Sequence, residues 1–478
     1  RRPEVTGQGP MVIGLDIGTQ GVRAVAVGED GSVLAQASAA HSSQRPFAGA
    51  MEQHPDDWWR GIVSSIRSLR EDVDLGSVRA VSTSSTSGTL CLLDASGSAV
   101  RPAIIYSDSR ARSEAEELSA TEPLERPVRE TDALAKAMWV RRHEPDTWRQ
   151  VAAMRSPSGY VSAALGGRLL PFDHTQATKF GWDPLAMRWP RQRLEIAGLP
   201  ETAETEVVEP GRPIATISTR ASAELGLPGD TAIVAGATDG VCGFLACRPA
   251  LRVGCTILGT TIVWKTLSSR HVPDEQGIYS HKGMGGRWLP GAASNSGGGI
   301  LESIFPGRDP AEMGRGLELP AGGLLYPLPG QGERFPFRDP DAVSFRILPD
   351  RVDEASLFAA CLEGVAYVER WGYERLESLG LIDPQAGLTS AGGATRSEQW
   401  LRIRASVLRR PISVPLEPGS AYGAALLASA ALGQRDPFEV AQDLVRFRIT
   451  VQPVAEWADR YDDLYARFRE AARARGWN

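Results

Sequence analysis

The sequence predicts an α/β protein made of two large domains of related fold, and three observations carry this prediction. The chain has 478 residues, which is too long for one ordinary hydrophobic core. Its residues are 42% hydrophobic and 23% charged, a balance typical of globular proteins. Segments 11–26 and 254–264 both read as a strand, a turn rich in glycine and threonine, and a second strand. Because topology and turn chemistry recur, the two halves of the chain are expected to be related.

The first half opens with an antiparallel meander. The apolar run Met11–Ile17 predicts a buried strand, the turn Gly18–Gly21 follows it, and the alternating residues Val22–Ala26 predict the strand that leaves the turn. A third strand is expected over Ser32–Gln36. This order differs from the strand–helix unit of a dinucleotide-binding fold.

A helix is expected after His54-Pro55, with Asp56 or Asp57 as its candidate cap. The next buried strand is predicted over Val78–Ser82, before a polar turn. The remaining predicted elements are strands Leu90–Leu93 and Ile104–Tyr106, the hairpin of Gly254–Leu258 with Ile262–Trp264, a long helix Asp353–Leu379, the strand Leu388–Ala391, a helix from Ser397, a small-residue helix Ala424–Leu432 and a C-terminal helix from about Trp457.

Charge and cysteine content exclude several classes of function. Lys and Arg number 52 against 58 Asp and Glu, so the net charge of −6 gives no basic field for nucleic acid or an anionic membrane. No apolar run reaches the length of a membrane span, and the N-terminus lacks an apolar signal core. The five cysteines favour a reducing compartment, and Cys242, Cys247 and Cys255 fit buried thiols better than a zinc pattern. We therefore expect a cytoplasmic protein without nucleic-acid or membrane partners.

The lysines exclude one common phosphate-binding motif. Only four of the 52 basic residues are lysines, and none of the four follows a glycine. A loop of the form G-x-x-x-x-G-K-[ST] is therefore absent from the sequence. If the chain handles a nucleoside triphosphate, it must hold the phosphates in another way.

The turn that follows Asp16 is the first candidate for that role. A turn of Gly18, Thr19, Gln20 and Gly21 offers several backbone N–H groups to one anion, and glycine lets a phosphate approach the main chain. A neighbouring carboxylate suits Mg²⁺, which prefers one or two carboxylates together with phosphate oxygens. An ordinary hairpin with a capping aspartate explains these residues equally well.

Two further segments favour the phosphate interpretation. The second hairpin turn, Gly259-Thr260-Thr261, has the same chemistry, and Gly392-Gly393 precedes a helix whose N-terminus would favour negative charge. Asp239 lies between the two hairpins in the chain, after the buried run Thr231–Ala235 and before a small-residue helix. A carboxylate at this position could accept the proton of an attacking hydroxyl, as an aspartate does in other kinases.

These residues and their neighbours resemble the FGGY carbohydrate kinases. The similar motifs keep the family's order from about Met11 to Gly433: Asp16-Ile17-Gly18-Thr19, Glu52–Trp59, Asp108-Ser109-Arg110, Leu134–Trp139 with His143-Glu144-Pro145, Gly236-Ala237-Thr238-Asp239, Leu362–Val365, Ala391-Gly392-Gly393 and Ala421–Ala425. The resemblance implies an actin-like (ribonuclease H-like) duplicated two-domain fold with an ATP cleft between the domains. ATP and Mg²⁺ are the implied phosphate donor and cofactor, and a homodimer is possible.

The resemblance also implies domain boundaries. Residues 1–10 are expected to be a disordered arm, 11–246 the sugar-binding N-terminal domain with the first phosphate hairpin, 247–434 the nucleotide-binding C-terminal domain, and 435–478 a C-terminal helical extension.

Roles for individual residues follow by position in the family's motifs. Asp239 would be the general base, and Asp16 would help to hold Mg²⁺. The implied sugar-binding residues are Asp16, Gln20, Gly21, Val22, Arg23, Ser87, Asp108 and Asp239. The implied ATP-binding residues are Thr19, Gly259, Thr260, Thr261, Gly298, Gly392, Gly393 and Ala394.

Several of these residues have a second interpretation. Ala394 stands where the family's nucleotide loop usually has a third glycine, so its methyl group could narrow the adenosine pocket. Asp108 and Arg110 could equally form a structural salt bridge. For His174, a structural histidine with satisfied hydrogen bonds is favoured over a substrate contact. Trp58 and Trp59 are expected to be core residues rather than ligands.

The sugar is harder to infer. Many xylulose kinases carry Gln-Met-His-Gly where this chain has Ser85-Thr86-Ser87-Gly88. The chain is more similar to a D-ribulose kinase branch of cyanobacteria and plants, which makes D-ribulose the first choice. D-xylulose, L-ribulose and ribitol remain alternatives within the family. A nucleotide-dependent chaperone or filament protein with an actin-like core is the alternative from another class, and Asp239 argues against it.

Overall fold

The structure, a computed structural model, describes residues 9–120, 127–198, 205–273, 276–348 and 352–478. The strands in chain order are β1 (Met11–Ile17), β2 (Gly21–Gly28), β3 (Val33–Ala40), β4 (Glu52–Gln53), β5 (Val78–Ser85), β6 (Cys91–Leu93), β7 (Ala103–Ile104), β8 (Ala153–Arg155), β9 (Phe172–Asp173), β10 (Val207–Val208), β11 (Pro213–Thr216), β12 (Ala232–Val234), β13 (Cys255–Leu258), β14 (Ile262–Lys265), β15 (Ile278–Lys282), β16 (Trp288–Ser294), β17 (Leu324–Leu325), β18 (Arg346–Ile347), β19 (Leu388–Ala391), β20 (Ile412–Pro415) and β21 (Phe447–Val451).

The α-helices in chain order are α1 (Pro55–Leu69), α2 (Arg112–Ser119), α3 (Ala133–His143), α4 (Pro145–Trp148), α5 (Pro157–Gly166), α6 (His174–Ala177), α7 (Arg191–Ala197), α8 (Thr219–Leu225), α9 (Asp239–Leu245), α10 (Gly299–Ile304), α11 (Pro310–Met313), α12 (Glu354–Ser378), α13 (Glu398–Leu408), α14 (Ser420–Gly433), α15 (Pro437–Leu444) and α16 (Ala455–Arg473). Short 3₁₀ helices cover Leu75–Ser77, Thr178–Phe180 and Gly393–Arg396. Among the described helices, none combines the length and the apolar character that crossing a bilayer requires.

The chain divides into two compact units. The first comprises the described residues up to Ala246 together with Lys282–Gly285 and Gly419–Leu444. The second comprises Cys247–His281, Gly286–Pro418 and Val445–Asn478. The chain therefore passes from one unit to the other several times.

A six-stranded mixed sheet forms the centre of the first unit, with strand order β11-β12-β5-β1-β2-β3. Strands β1, β2 and β3 form the predicted antiparallel meander. Strand β1 pairs with β5 in parallel, and β5 pairs with β12 in parallel. The carboxyl ends of these three strands consequently meet at one edge of the sheet.

The second unit repeats this arrangement in a seven-stranded sheet of order β15-β16-β14-β13-β19-β20-β21. Strand β14 pairs antiparallel with both β13 and β16, and β13, β19 and β20 are parallel. The strand β21 closes the sheet antiparallel to β20, as β11 does beside β12. The same order and directions in both units confirm the predicted α/β class and the duplication.

Each unit has its own hydrophobic core. In the first unit, α1 buries Trp58, Ile62 and Ile66 completely beneath the sheet, because these residues recur at helical spacing. In the second unit, the long helix α12 and the C-terminal helix α16 share a core that includes Trp371 and Phe468. Trp58 is thus a core residue, as expected.

Close contacts between small residues join α14 to the sheet of the first unit. A Cβ atom on Gly14 of β1 would lie 1.9 Å from the carbonyl oxygen of Ala421, and one on Gly423 would lie 1.9 Å from the carbonyl oxygen of Cys242. Only glycine allows main chains to approach so closely. The small-residue sequence of α14 therefore serves helix packing.

Some details of the predictions differ from the structure. The cap of α1 is His54, because Pro55 occupies the first helical position, and Asp56 instead accepts a hydrogen bond of 2.9 Å from the Tyr160 hydroxyl. The contacts also divide the second half differently from the predicted boundary at residue 434, since Gly419–Leu444 packs with the first unit. The predicted helical extension contains a strand, β21, besides its helices. Of the predicted N-terminal arm, residues 1–8 lie outside the described residues.

Candidate active site

The carboxyl end of β1 carries Asp16 in the first unit. Strand pairing on both sides buries this carboxylate to 5% exposure. The Ser84 hydroxyl of β5 donates a hydrogen bond of 3.1 Å to Asp16 Oδ1. The Arg23 guanidinium lies 3.5 Å from Asp16 Oδ2, and its own side chain is 68% exposed. In the part of the chain that the structure describes, the partners of the Asp16 carboxylate are therefore a serine hydroxyl and an exposed guanidinium.

This setting raises the pKa of Asp16 to about 6. Burial is the largest cause, and the negative charge of Asp239 is the second. The Ser84 hydrogen bond and the charge of Arg23 act in the opposite direction but are weaker. A second positive charge at this carboxylate, such as a divalent cation, would stabilise its ionised form.

The turn after β1 is held by hydrogen bonds from two directions. Within the turn, the Gly18 amide donates to the Gly21 carbonyl at 3.0 Å. From outside, the Gln53 side-chain amide donates to the Thr19 carbonyl at 2.9 Å. Gln53 is in turn fixed by the buried Trp58 indole, which donates to Gln53 Oε1 at 2.9 Å. These hydrogen bonds therefore fix the conformation of the turn.

Asp239 begins α9, just beyond the carboxyl end of β12. The chain passes very close to β5 there, since a Cβ atom on Gly236 would lie 1.8 Å from the Thr83 carbonyl oxygen. The Thr238 amide donates to Thr175 Oγ1 at 3.0 Å. The Asp239 carboxylate accepts the Gly240 amide at 2.7 Å and is partly exposed. The Asp239 side chain is therefore within reach of solvent at the end of β12.

Ser87 lies in the turn that follows β5. Its side chain is partly exposed, while Gly88 beside it is buried with φ of 79°. A side chain at Gly88 would be strained there, and its Cβ atom would lie 2.8 Å from the Thr131 carbonyl oxygen. Asp16, Ser87 and Asp239 thus follow or end the three parallel strands β1, β5 and β12.

Two predicted sugar-binding residues do not present their side chains to this site. Val22 is 1% exposed and belongs to the core, because the alternation of β2 turns it towards α1. Asp108 is completely buried, and its oxygens accept hydrogen bonds from the Arg110 guanidinium and the Met51 amide. The structural salt bridge is therefore the interpretation that the Asp108 geometry supports.

The other predicted residues of the first unit lie at the turn itself. Thr19 is partly exposed, its hydroxyl lies 3.4 Å from the Tyr106 hydroxyl, and Gln20 is exposed. Gly21 faces β3, where a Cβ atom would lie 2.5 Å from the Ala39 carbonyl oxygen. The main chain of β3 therefore leaves no room for a side chain at Gly21.

The predicted nucleotide-binding residues other than Thr19 all lie in the second unit. The turn between β13 and β14 holds Gly259, Thr260 and Thr261, of which the first two are exposed. The Gly298 amide donates to the Gly259 carbonyl at 2.8 Å, and the Gly299 amide donates to the Thr260 carbonyl at 2.9 Å. A glycine-rich loop is therefore attached directly to the second hairpin turn.

The end of β19 meets the same hairpin. Gly392 has φ of 94°, and a Cβ atom on it would lie 2.4 Å from the Leu258 carbonyl oxygen. Gly393 is exposed, and a Cβ atom on it would meet nothing within 4 Å. These residues start a 3₁₀ helix, and the predicted α-helix begins only after Ser397, whose hydroxyl caps it.

Ala394 does not narrow an open pocket with its methyl group. The side chain is 7% exposed and belongs to the core of the second unit. Only the main chain of this residue is therefore available to a nucleotide.

Magnesium fits the residues of the first unit. Among the described residues, no group of three or more histidine, cysteine, aspartate or glutamate side chains is arranged to hold a metal ion. Mg²⁺ rarely needs such a cage, because it binds one or two carboxylates and completes its shell with phosphate oxygens and water. The buried Asp16, whose charge is opposed by that of Asp239, suits this kind of site.

The cysteines and His174 were also considered in the sequence, and the structure shows what surrounds them. The five cysteines are buried and free, in agreement with the interpretation as buried thiols. His174 is 2% exposed and stacks on Trp182, and within the described ranges neither ring nitrogen has a hydrogen-bond partner. The burial agrees with a structural histidine, but the expected hydrogen bonds are not made, and burial lowers the pKa of His174 to about 3.

Sequence reasoning missed residues that organise the site. Ser84 holds Asp16, Gln53 holds Thr19, and Thr175 holds the residue before Asp239. Ser84 and Gln53 lie within segments that the sequence had marked, a polar turn and the Glu52–Trp59 motif. Their partners could not be inferred, because each contact joins segments far apart in the chain.

Comparisons with known proteins agree with this arrangement. Residues 11–246 match the N-terminal domain of the FGGY family of carbohydrate kinases, and residues 254–432 match its C-terminal domain. The chain is 26% identical to xylulose kinase of Bacillus subtilis over 96% of each protein. It is 24% identical to gluconokinase of the same species, over 97% of this chain and 95% of that protein. The crystal structure of xylulose kinase from Rhodospirillum rubrum is similar with a TM-score of 0.84 and 25% identity, over 97% of this chain and 98% of that one.

Proposed function

The chain belongs to the FGGY family of carbohydrate kinases, and from this premise we propose that it transfers the γ-phosphate of ATP to the terminal hydroxyl of a ketopentose. The sugar half-site consists of Asp16, Ser87, Asp239 and the turn Gly18–Gly21 with Arg23. The proposed nucleotide-binding residues are Thr19 of the first unit and, in the second unit, the turn Gly259–Thr261, Gly298 and the main chain of Gly392–Ala394.

One observation carries this proposal. Asp16, the turn bearing Ser87, and Asp239 stand at the carboxyl ends of three adjacent parallel strands of one sheet. Side chains at this edge of a parallel sheet are commonly placed to bind ligands. The negative charges of Asp16 and Asp239 act on each other, as expected of a site built for a cation and a proton transfer.

In the proposed reaction, Asp239 accepts the proton of the terminal hydroxyl while that oxygen attacks the γ-phosphorus of ATP. A new phosphorus–oxygen bond forms, the bond to the bridging oxygen of the β-phosphate breaks, and ADP leaves. Backbone N–H groups of the two hairpin turns stabilise negative charge on the phosphate oxygens. Asp16 would hold Mg²⁺, which supplies positive charge to the phosphates when it is bound.

The substrate is proposed to be D-ribulose first. The Ser85–Gly88 turn carries a serine hydroxyl where many xylulose kinases have a histidine, and a hydroxyl can donate to or accept from a sugar hydroxyl. D-xylulose is the second candidate, because relatives along almost the whole chain are named xylulose kinase. L-ribulose and ribitol remain candidates of the same class.

A coupled-enzyme assay of ADP formation across a panel of sugars tests this proposal. The panel is D-ribulose, D-xylulose, L-ribulose, ribitol and D-gluconate, each compared with ATP alone. We expect the highest kcat/KM with D-ribulose and little ADP without sugar. A higher kcat/KM for another panel member would replace D-ribulose, and ATP consumption indifferent to every sugar would favour the chaperone or filament alternative.

A further inference from the structure

Lys136 is a buried cation that the proposed reaction does not use. It is the fourth residue of α3, and its side chain is 0% exposed. Its ammonium group donates three hydrogen bonds, to the carbonyl oxygens of Gly88 at 3.0 Å, Ile105 at 2.7 Å and Thr131 at 2.9 Å. An ammonium has three donors, so its hydrogen-bonding capacity is completely used.

The three carbonyl groups belong to different segments around the sugar half-site. Gly88 follows Ser87 in the turn after β5, and Ile105 precedes Tyr106, whose hydroxyl contacts that of Thr19. The Tyr106 amide also donates to Thr89 Oγ1 at 3.1 Å, which joins the same two segments a second time. Lys136 therefore lies where the Ser87 turn and the segment facing Thr19 are tied together.

Among the residues that the structure describes, the ammonium of Lys136 donates its hydrogen bonds to carbonyl oxygens and forms no ion pair with a carboxylate. Two carboxylates act on it from a distance, but Asp108 pairs with Arg110 at 2.7 Å and Asp132 pairs with Lys179 at 2.8 Å. Arg110 and Lys179 repel the Lys136 charge. Burial outweighs the attraction of the two carboxylates, and the pKa of Lys136 falls to about 7.

A buried ammonium held only by carbonyl groups costs free energy, because its desolvation is not repaid by an ion pair. An apolar residue at this position would avoid that cost but could not hold three carbonyl groups. The arrangement is explained if the position of the carbonyl groups matters for the site.

We propose that Lys136 is a positioning residue for sugar binding, which fixes the turn bearing Ser87 through the Gly88 carbonyl. This inference rests on the proposed function and deepens its account of the sugar half-site. Lys136 does not touch the substrate in this role, and it acts through the main chain of the turn.

Deprotonation should loosen this arrangement. A neutral amine has two N–H donors and a lone pair, so one of the three carbonyl groups would lose its partner. The sugar KM should therefore rise as the pH passes through the range around 7. General unfolding would not explain that rise, because Lys136 makes the protein more stable over the same pH range. The folded state binds the Lys136 proton less tightly than the unfolded state, so the contribution of this group to stability increases as the pH rises from 7 towards 10.

The test measures KM for D-ribulose and for ATP between pH 6.5 and 8.5, in the full chain and in the variants Lys136→Met and Lys136→Arg. If another panel sugar is the better substrate, it replaces D-ribulose. A matched control is Leu225→Ala, which truncates a fully buried core residue of the same unit on α8. Thermal unfolding of each protein is recorded in parallel.

We expect the sugar KM of the wild type to rise at least threefold over this range. In Lys136→Met it should be about tenfold higher at pH 6.5 and independent of pH, with the ATP KM changed less than twofold. Lys136→Arg keeps its charge throughout, so its sugar KM should also be independent of pH. Leu225→Ala should lower the unfolding temperature and keep the wild-type pH dependence.

Two results would overturn the inference: equal changes of the sugar and ATP KM in Lys136→Met, or a wild-type sugar KM that stays constant over the pH range. The second measurement decides the matter alone if the variants do not fold. A wild-type chain that phosphorylates no sugar of the panel contradicts the proposed function itself. An active chain whose sugar KM does not depend on Lys136 contradicts only the present inference.

Discussion

At the scale of single residues, the two aspartates of the proposed sugar half-site are assigned separate roles. Asp239 is partly exposed and begins a helix, while Asp16 is buried at the end of β1. Exposure suits the residue that must reach a substrate proton, and burial suits the residue that meets a cation.

Replacing Asp239 by Ala should lower kcat by roughly 10²- to 10⁴-fold, the usual contribution of a general base. The sugar KM should rise as well, because Asp239 is also one of the proposed sugar-binding residues, while the KM for ATP should change little. Steady-state kinetics with the preferred sugar check this expectation. Wild-type turnover in the variant would remove Asp239 from the proton transfer.

Asp16 makes activity and stability depend on pH in opposite ways. Its pKa of about 6 means that it loses its charge below that pH, so kcat/KM should fall on the acid side of pH 6. The folded state binds the Asp16 proton more tightly than the unfolded state, and its contribution to stability therefore decreases as the pH rises from about 4 to 6.

Asp16→Asn should consequently unfold at a higher temperature than the wild type at pH 7, with a gain of up to roughly 3 kcal/mol. At pH 4 the gain should disappear, and activity should be lost at both pH values. Calorimetry of the two proteins at each pH measures this. A variant less stable than the wild type at pH 7 would show that the ionised Asp16 is well solvated.

Ser87→Ala should raise the sugar KM and leave the ATP KM within about twofold, since one hydroxyl contact is worth about 1 kcal/mol. Separate titrations of the two substrates test this. Equal effects on both substrates would place Ser87 outside the sugar half-site.

At the scale of elements, the two adjacent glycines after β19 differ in kind. Gly392 is required by the fold, because its φ of 94° and the Leu258 carbonyl exclude a side chain. Gly393 has open space around its Cβ position, so the fold itself tolerates a side chain there.

Gly392→Ala should therefore destabilise the protein by about 1–3 kcal/mol. Gly393→Ala should leave the unfolding temperature unchanged but raise the KM for ATP, because its methyl group would occupy space proposed for the nucleotide. Thermal unfolding without ligand and ATP kinetics separate the two effects. The reverse pattern would contradict the proposed position of the nucleotide.

The strands and helices were largely predictable from the sequence, whereas the contacts of the site's side chains with distant segments were not. The strand β1 and its turn are encoded locally by an apolar run and by glycines. The sequence left open whether Asp108 contacts the sugar or forms a salt bridge, and it did not show that the Val22 side chain is buried, because a position in a motif does not tell which way a side chain points. The alternation of β2 buries Val22, and Asp108 is captured by Arg110 two residues later.

At the scale of the whole molecule, the two units should respond to different ligands. The sugar half-site is proposed within the first unit, and most nucleotide contacts are proposed within the second. Hydrogen exchange can follow both units in one experiment.

D-ribulose alone should slow amide exchange in residues 84–89 and 238–240. A non-hydrolysable ATP analogue alone should slow exchange in residues 259–261 and 392–395. Mass spectrometry of peptides from these segments gives the readout. Protection of only the first unit by the ATP analogue would contradict the proposed division of binding.

The packing of α14 on β1 has a consequence for the growing polypeptide on the ribosome. The ribosome makes strand β1 well before the helix that packs on it, because β1 ends at Ile17 and the helix begins only at Ser420. Domains generally fold in the order in which they are made, but the first unit cannot complete its core until this helix has emerged. Throughout that interval the growing chain carries a sheet face that the helix has not yet covered.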